Sequence, residues 1–132
     1  MINGLNHITI AVADIQRSLD FYINTLGFTG HVVWDSGAYL SINTLWLCLS
    51  LDSPSPSKDY SHIAWSVSIS SFNTLSNQII SSGAQQWKTN KSEGESLYFL
   101  DPDGHKLEIH VGSLEQRLES LKNKPYKGLK WL

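Results

Sequence analysis

The feature that most constrains the fold of this chain is an internal repeat. One stretch, HITIAVADIQRSLDFYINTLG, begins at His7, and a second, HIAWSVSISSFNTLSNQIISSG, begins at His62. Both begin with His-Ile, both have a valine five residues after the histidine, and both end in a glycine, at Gly27 and Gly83. A repeat of this kind predicts two copies of one supersecondary unit.

Each copy predicts the same order of elements. A strand comes first, because apolar residues alternate along it, and a helix follows. Asp14 is the expected N-cap of the first helix, Ser70 or Ser71 that of the second, and the two glycines end them. Three further strands follow in each copy, HVVW, AYLSI and LWLCLSL in the first, and QQWK, SLYFL and HKLEIHV in the second. The predicted unit is therefore β-α-β-β-β, present twice.

The predicted organisation is a single α+β domain covering residues 1–132. Module one spans about residues 4–51 and module two about residues 60–112, and a Pro/Ser-rich linker, residues 52–59, joins them. A last helix over residues 113–123 begins with a capping box formed by Ser113 and Gln116.

Composition excludes several classes of function. Charged residues make up 17% of the chain and its net charge is -2, so nothing favours nucleic acid or an anionic membrane surface as a partner. The N-terminus lacks the pattern of a signal peptide, and no apolar run is long enough for a membrane span. The one cysteine, Cys48, excludes an intrachain disulfide, and a cytoplasmic location is expected.

The polar faces of three predicted strands carry metal-ligating side chains. His7 and His62 hold the same position in the two copies, and Glu108 lies on the polar face of the last strand. Two histidines and a carboxylate are the facial set that holds a divalent metal and leaves positions open for substrate. Taken singly, each histidine is more often a hydrogen-bonded or surface residue, and Glu108 a solvated one. His110 is a competing ligand on the same face, whereas His31 and His105 are expected at the surface.

Four stretches carry a resemblance to a known family: GLNHITIAV, GAYLSINTLWLCLS, the step from Tyr60 to His62, and WKTNKSEGESLYFLDPDGHKLEIHVG. Together they resemble the vicinal-oxygen-chelate superfamily of glyoxalases, bleomycin-resistance proteins and dioxygenases. Within it, they resemble the manganese-dependent fosfomycin-resistance glutathione transferases of the FosA type. The resemblance covers nearly the whole chain and is most specific from Trp87 to Gly112.

The resemblance implies a fold and an activity. The two modules are expected to form a cup-shaped mixed sheet in a domain-swapped homodimer. His7 of one subunit and His62 and Glu108 of the other would hold Mn²⁺. The implied reaction is addition of the glutathione thiol to the epoxide ring of fosfomycin, which inactivates the antibiotic and gives resistance.

The resemblance also assigns the remaining site residues by position. The implied catalytic residues are Thr9 and Tyr39. The implied phosphonate-binding residues are Lys88, Ser92, Tyr98 and Arg117, and the implied glutathione-binding residues are Trp34, Trp46, Ser50 and Tyr126. A K⁺ ion is implied in the loop NKSEGES, with ligands from Asn90, Ser92, Gly94 and Ser96. The chain departs from the family at Ser36, where relatives often carry glutamine.

Several alternatives remain open, because one fold hosts many chemistries. Members of the same fold open the epoxide with water or with another thiol, and others bind drugs without chemistry. A glyoxalase-like isomerase would need a further carboxylate, which LWLCLSL does not supply. An extradiol dioxygenase would need a basic histidine near the metal, a role open to His110. A metal protein acting on an endogenous small molecule also fits the sequence.

Overall fold

The computed structural model describes all residues, 1–132, and contains eight strands and three α-helices. The strands are β1 (His7–Val12), β2 (Thr29–Trp34), β3 (Gly37–Ile42), β4 (Leu45–Leu51), β5 (Ile63–Ser66), β6 (Gln86–Lys88), β7 (Ser96–Leu100) and β8 (Lys106–His110). The helices are α1 (Ile15–Leu19), which continues as a π-helical segment (Asp20–Thr25), α2 (Ile69–Ser81) and α3 (Leu114–Asn123).

The strands form two four-stranded sheets with the same topology. The order is β1-β4-β3-β2 in the first sheet and β5-β8-β7-β6 in the second. In each sheet the first and last strands of the module pair in parallel, and the other pairs are antiparallel. The predicted α+β class with two βαβββ units and a C-terminal helix is therefore confirmed.

One hydrophobic core contains residues of both modules. Leu47 and Leu49 of the first sheet and Leu107 and Ile109 of the second are all fully or almost fully buried in it. Successive strand residues point to opposite faces, so the other face of each sheet is turned away from this core. The predicted metal ligands lie on those outward faces.

The first helix differs from its sequence-based expectation in its second half. Asp14 is its N-cap, since the Asp14 side chain accepts the Arg17 N–H, but the chain then widens into π-helical turns. The Leu26 N–H, for example, bonds the Phe21 carbonyl. This geometry buries two consecutive aromatic residues, Phe21 and Tyr22, on one side. Core packing explains a feature that helical periodicity alone did not predict.

The N-cap of α2 was placed two or three residues too late. Ser68, with extended backbone angles, precedes the first helical residue, Ile69. Ser70 and Ser71 lie inside the first turn, and the Ser71 N–H already bonds the Ser68 carbonyl. The run of serines gave several equivalent capping candidates, and only the backbone geometry distinguishes them.

The turn DPDG joins the two modules. Asp101 is buried and accepts a hydrogen bond from the Tyr22 hydroxyl at 2.8 Å. Asp103 accepts from the Arg17 guanidinium at 2.7 Å and from the Ala13 N–H at 3.1 Å, so it ties the segment that leads into the first helix to the second module. His105 bonds the Ala11 carbonyl at 2.6 Å and is half-buried. The expectation that His105 lies at the surface is wrong.

His31 is exposed, as expected, and its Nε2 lies 2.7 Å from the Ser41 hydroxyl. All three α-helices and the π-helical segment fall short of what crossing a bilayer requires in length and apolar character.

Candidate active site

The outward face of the second sheet brings His62 and Glu108 together. His62 Nε2 lies 2.9 Å from Glu108 Oε2. His62 Nδ1 lies 2.8 Å from the Tyr60 carbonyl, which only accepts, so Nδ1 carries a proton. Nε2 is therefore the ring nitrogen available as a ligand, and the second hydrogen bond fixes the ring orientation.

This donor set fits a divalent metal. An imidazole nitrogen with a fixed tautomer and a carboxylate oxygen converge on the same point, and imidazole and carboxylate are common ligands of Mn, Fe and Zn. The set is incomplete in one chain, because no three His, Cys, Asp or Glu side chains of a single copy gather closely enough to hold a metal ion.

The other oxygen of Glu108 is held by Ser96. The Ser96 hydroxyl donates to Glu108 Oε1 at 2.6 Å, and His110 Nδ1 lies 2.6 Å from the same hydroxyl. His110 Nδ1 is farther from the carboxylate itself, at 3.6 Å. Sequence reasoning left His110 open as a competing ligand, and the structure places its Nδ1 on Ser96.

His7 lies on the first sheet, apart from the pair formed by His62 and Glu108. Its ring packs on Trp46 with centroids 4.4 Å apart, and its Nδ1 lies 2.7 Å from the Asn6 side-chain oxygen. The aromatic row continues from Trp46 to Tyr39 at 5.0 Å and from Tyr39 to Trp34 at 4.8 Å. The structure thus groups His7 with the predicted glutathione side.

Strand register places the other predicted residues of this side. Thr9 is level with Cys48, and Cys48 is level with Tyr39 on the next strand, so all three lie in one row across the sheet. Ser50 lies two residues beyond Cys48 on the same face of β4. Tyr126 lies elsewhere, after α3, where its hydroxyl accepts from Arg117 at 3.4 Å.

A cationic cleft of about 590 Å³ adjoins the second sheet. Four of its lining residues were predicted to bind phosphonate or glutathione: Lys88, Ser92, Arg117 and Tyr126. The other five are Lys91, Glu93, Ser120, Leu121 and Lys124. Four of these side chains are cations and one is an anion. The cleft therefore has the charge that a phosphonate dianion requires.

Lys88 is held at this cleft by two aromatic rings. Its ammonium group lies 4.5 Å from the centroid of Tyr60 and 4.8 Å from that of Tyr98. It also donates a hydrogen bond to the Tyr60 hydroxyl, and this bond raises the pKa of Lys88 above its ordinary value. Lys88 therefore remains charged throughout the neutral range.

Arg117 extends from α3 to the loop 90–96. Its Nε lies 3.3 Å from Glu93 Oε2, and its Nη2 donates to the Glu93 carbonyl at 3.1 Å. Its guanidinium is thus positioned by the loop 90–96 before any ligand binds.

The loop 90–96 is closed by its own side chains. Asn90 donates to the Gly94 carbonyl at 2.8 Å and accepts from the Ser92 N–H at 3.1 Å and from its hydroxyl at 2.9 Å. Three of the four predicted potassium ligands thus come together in one turn. The fourth, Ser96, has its hydroxyl on Glu108 and His110.

Sequence reasoning missed the aromatic wall around His62. Trp87 lies 5.4 Å from the His62 ring and 5.2 Å from Tyr98, and Tyr60 lies 5.0 Å from His62. Trp87 directly precedes Lys88 in the sequence, and Tyr60 lies two residues before His62. Ser96 was selected only for potassium, and its bond to Glu108 had no signal in the sequence.

Comparisons with known proteins agree with this geometry. Residues 4–109 match the family Glyoxalase/Bleomycin resistance protein/Dioxygenase superfamily. The chain is 49% identical to glutathione transferase FosA of Serratia marcescens, over 98% of this chain and 95% of that protein. It is 34% identical to metallothiol transferase FosB of Lysinibacillus sphaericus, over 92% of this chain and 91% of that protein.

Solved structures of similar fold include fosfomycin resistance protein FosX of Listeria monocytogenes. The TM-score is 0.83 at 30% identity, with 91% of this chain and 99% of that chain covered. A variant of the same protein was solved with Mn(II) and dihydroxypropylphosphonic acid, and it matches with a TM-score of 0.79 at 29% identity, covering 90% of this chain and 99% of that one. These matches confirm the resemblance found in the sequence. The chain belongs to the Glyoxalase/Bleomycin resistance protein/Dioxygenase superfamily and, within it, to the family of FosA-type fosfomycin-resistance glutathione transferases.

Proposed function

We propose that this protein is a metal-dependent glutathione transferase that inactivates fosfomycin by adding the thiol to its epoxide ring. The observation that carries the proposal is the His62–Glu108 pair beside a cleft lined by Lys88 and Arg117. The 49% identity to a glutathione transferase named FosA supports glutathione as the thiol. In a cell, this reaction gives resistance to the antibiotic.

The proposed metal ligands are His62 and Glu108 of one copy and His7 of a second copy. Mn²⁺ is the proposed ion, supported by Mn(II) in the solved structure of the Listeria relative. When bound, the metal supplies Lewis acidity toward the oxygen that ring opening frees. The hydrogen bond from His62 Nδ1 to the Tyr60 carbonyl keeps the ring in the tautomer that this role requires.

The proposed phosphonate site consists of Lys88, Ser92, Tyr98 and Arg117. Lys88 and Arg117 offer charge, and Ser92 and Tyr98 offer hydroxyl donors. Tyr98 is almost fully buried against the Lys88 ammonium, so the cation is held in place before the substrate arrives. Substrate affinity then loses little to the ordering of long side chains.

The first sheet is the proposed binding surface for glutathione. Trp34 and Trp46 flank Tyr39 in the exposed aromatic row, and Ser50 and Tyr126 complete the set. Tyr39 is proposed to orient the thiol and assist its deprotonation. The sulfur then forms a bond to an epoxide carbon as one C–O bond of the ring breaks, and a proton ends on the freed oxygen. Thr9, on the same face, is proposed to donate to that oxygen.

A homodimer with exchanged modules is proposed because the two halves of the site cannot meet in one copy. His7 and Glu108 lie on sheet faces that both point away from the shared core. A second copy can apply its first sheet to the second sheet of this one. A K⁺ ion in the loop 90–96 is proposed to support the anionic substrate. A cytoplasmic location, where thiols stay reduced, suits the single Cys48 and the co-substrate.

Phosphorus NMR of the purified protein with fosfomycin and Mn²⁺ tests the reaction. Parallel samples contain glutathione, another low-molecular-weight thiol, or water alone. We expect a new adduct signal that appears only with glutathione. Fosfomycin left unchanged in every sample would overturn the proposal.

The same experiment examines fosfomycin hydrolysis as a second candidate. The observation that favours it is the solved relative with a dihydroxypropylphosphonic acid, the type of product that water addition to the epoxide gives. A diol signal without thiol would assign this protein to that reaction.

Mixing two inactive variants tests the shared site. His7→Ala and Glu108→Ala each remove one ligand, and a mixed dimer regains one intact site out of two. Random reassociation forms mixed dimers in about half of the population, so about a quarter of wild-type activity should return. The two variants are denatured and refolded together, and wild-type protein treated in the same way is the control. If the control recovers activity and the mixture does not, the exchanged dimer is contradicted.

A further inference from the structure

The Glu108 carboxylate is held by a hydrogen-bonded relay of two residues, Ser96 and His110. Glu108 Oε1 accepts from the Ser96 hydroxyl at 2.6 Å, and that hydroxyl lies 2.6 Å from His110 Nδ1. An ionised carboxylate only accepts, so Ser96 donates to it. The lone pair of the hydroxyl then accepts from His110 Nδ1–H, and the direction of the relay is fixed.

The relay leaves the two carboxylate oxygens with different partners. Oε1 is occupied by Ser96, whereas Oε2 faces His62 Nε2 at 2.9 Å. Glu108 itself is buried, with its side chain only 9% exposed, so water does little to orient it. One oxygen is thus fixed by the protein, and the other is directed at the proposed metal position.

Two glycines form a slot for the His110 ring. A Cβ on Gly94 would lie 2.9 Å from His110 Cε1, and a Cβ on Gly112 would lie 2.8 Å from His110 Nε2. Both glycines have backbone angles that other residues rarely adopt, with φ of +82° and +145°. Neither position leaves room for a larger residue beside the ring, whose Nδ1 lies on Ser96. The His110 side chain is only 18% exposed, and this close packing limits its motion.

We propose that Ser96 and His110 are positioning residues that hold Glu108 Oε1 so that Oε2 is presented to the metal. This inference rests on the proposed metal site. In this inference His110 supports the metal ligand Glu108 through Ser96 and is not itself a ligand. Partners of this kind commonly change metal affinity by about 10–100-fold when removed.

Isothermal titration of Mn²⁺ into the protein, without fosfomycin or glutathione, tests the proposal. Omitting K⁺ from the buffer removes any contribution of Ser96 to a potassium site. We expect Ser96→Ala to weaken Mn²⁺ affinity by about 10-fold or more. The titration is run well below the thermal midpoint of each metal-free variant, so that a loss of stability is kept apart from a loss of Mn²⁺ affinity. Ser41→Ala is the matched control, because Ser41 also bonds a histidine, His31, but no carboxylate.

A pair of His110 variants tests the same relay independently. The amide nitrogen of asparagine replaces Nδ1 as a donor, whereas leucine keeps bulk and donates nothing. We expect His110→Asn to bind Mn²⁺ within about threefold of wild type and more tightly than His110→Leu. Equal affinity of the two variants, or wild-type affinity of Ser96→Ala, would overturn the proposal. Loss of binding in His110→Asn as severe as in His62→Ala would make His110 a ligand.

Glu108→Ala separates a failure of this inference from a failure of the metal site. If Glu108→Ala abolishes Mn²⁺ binding and Ser96→Ala does not weaken it, the positioning role alone is wrong. If Glu108→Ala binds Mn²⁺ like wild type, the proposed metal site is wrong, and the relay has nothing to position.

Discussion

Arg117 carries its own counterion. Its Nε lies 3.3 Å from Glu93 Oε2, and both side chains are about one third exposed, at 29% and 33%. Arg117 lines the cationic cleft, so a phosphonate that binds there competes with the Glu93 carboxylate for the same guanidinium.

Replacing Glu93 should therefore tighten anion binding. A partly exposed ion pair contributes about 0.2–1 kcal/mol, so Glu93→Gln should raise the affinity for methylphosphonate by up to about fivefold. NMR titration of the protein measures the change. Glu119→Gln is the matched control, since Glu119 lies on α3 like Arg117 but pairs with Lys122 outside the cleft. An equal gain in methylphosphonate affinity in both variants would show that the effect comes from net charge and not from the Glu93–Arg117 pair.

Removing Arg117 should mainly weaken phosphonate binding. A hydrogen bond to a charged group contributes about 1.5–3 kcal/mol, so Arg117→Ala should raise the dissociation constant of fosfomycin by about 10–100-fold. Lys122→Ala, on the solvent side of α3, serves as the control. Unchanged affinity in Arg117→Ala would exclude this residue from the site.

Glu108→Ala should abolish metal binding and activity together. The substitution removes a proposed ligand and also leaves the Ser96 hydroxyl without its acceptor. Mn²⁺ titration and the NMR assay measure the two losses. Glu115→Ala, an exposed carboxylate in the first turn of α3, should keep both. Activity retained by Glu108→Ala would contradict the proposed ligand set.

Ser36→Gln should improve the use of glutathione. Ser36 accepts a hydrogen bond from Trp34 Nε1 at 3.1 Å, at the end of the aromatic row. A longer amide side chain there offers a contact to the co-substrate, and one neutral hydrogen bond of about 0.5–1.5 kcal/mol lowers the glutathione KM by about 2–10-fold. Ser36→Ala should not improve it, and a gain in both variants would contradict a new contact.

Tyr22→Phe should destabilise the junction between the modules. Tyr22 is fully buried and donates to Asp101, so the variant leaves a buried carboxylate oxygen without that donor. The free energy of unfolding should fall by about 1–3 kcal/mol in urea denaturation. Tyr126→Phe, at an exposed position, should change it little.

The same substitution has a pH signature. Burial raises the pKa of Tyr22 well above its ordinary value, and the Asp101 carboxylate adds to the effect. Tyr22 therefore stays neutral in the folded protein while tyrosine in the unfolded chain ionises near pH ~10. Its contribution to stability is complete below that pH and is lost as pH rises further. The stability gap between wild type and Tyr22→Phe should narrow above pH ~10, and a constant gap would contradict this linkage.

The fold was predictable because local signals agreed. Alternating residues gave the strands, and Gly27 and Gly83 gave the helix ends, where both have positive φ. The π-helical turns after Leu19 were not predictable, since they serve the burial of Phe21 and Tyr22 against residues distant in sequence, such as Phe99. His105 was misplaced for the same reason, because its partner, Ala11, belongs to the other module.

The site was predictable only in part. Strand periodicity selected Glu108 and His62, which the structure brings within 2.9 Å. Hydrogen bonds that orient these residues, such as Ser96 to Glu108, depend on the pairing of β7 with β8 and leave no pattern in the sequence. The proposed meeting of His7 with Glu108 of a second copy involves two chains and so lies beyond the folding of one.

The aromatic row of the first sheet and the aromatic wall around His62 also place fluorescent side chains at the proposed site. Of its five tryptophans, Trp46 packs on His7 and Trp34 packs on Tyr39 in the first sheet, and Trp87 lies beside His62 in the second. Association of two copies or binding of the proposed ion would change the surroundings of these indole rings. Intrinsic fluorescence can therefore follow assembly and loading of the site in unlabelled protein.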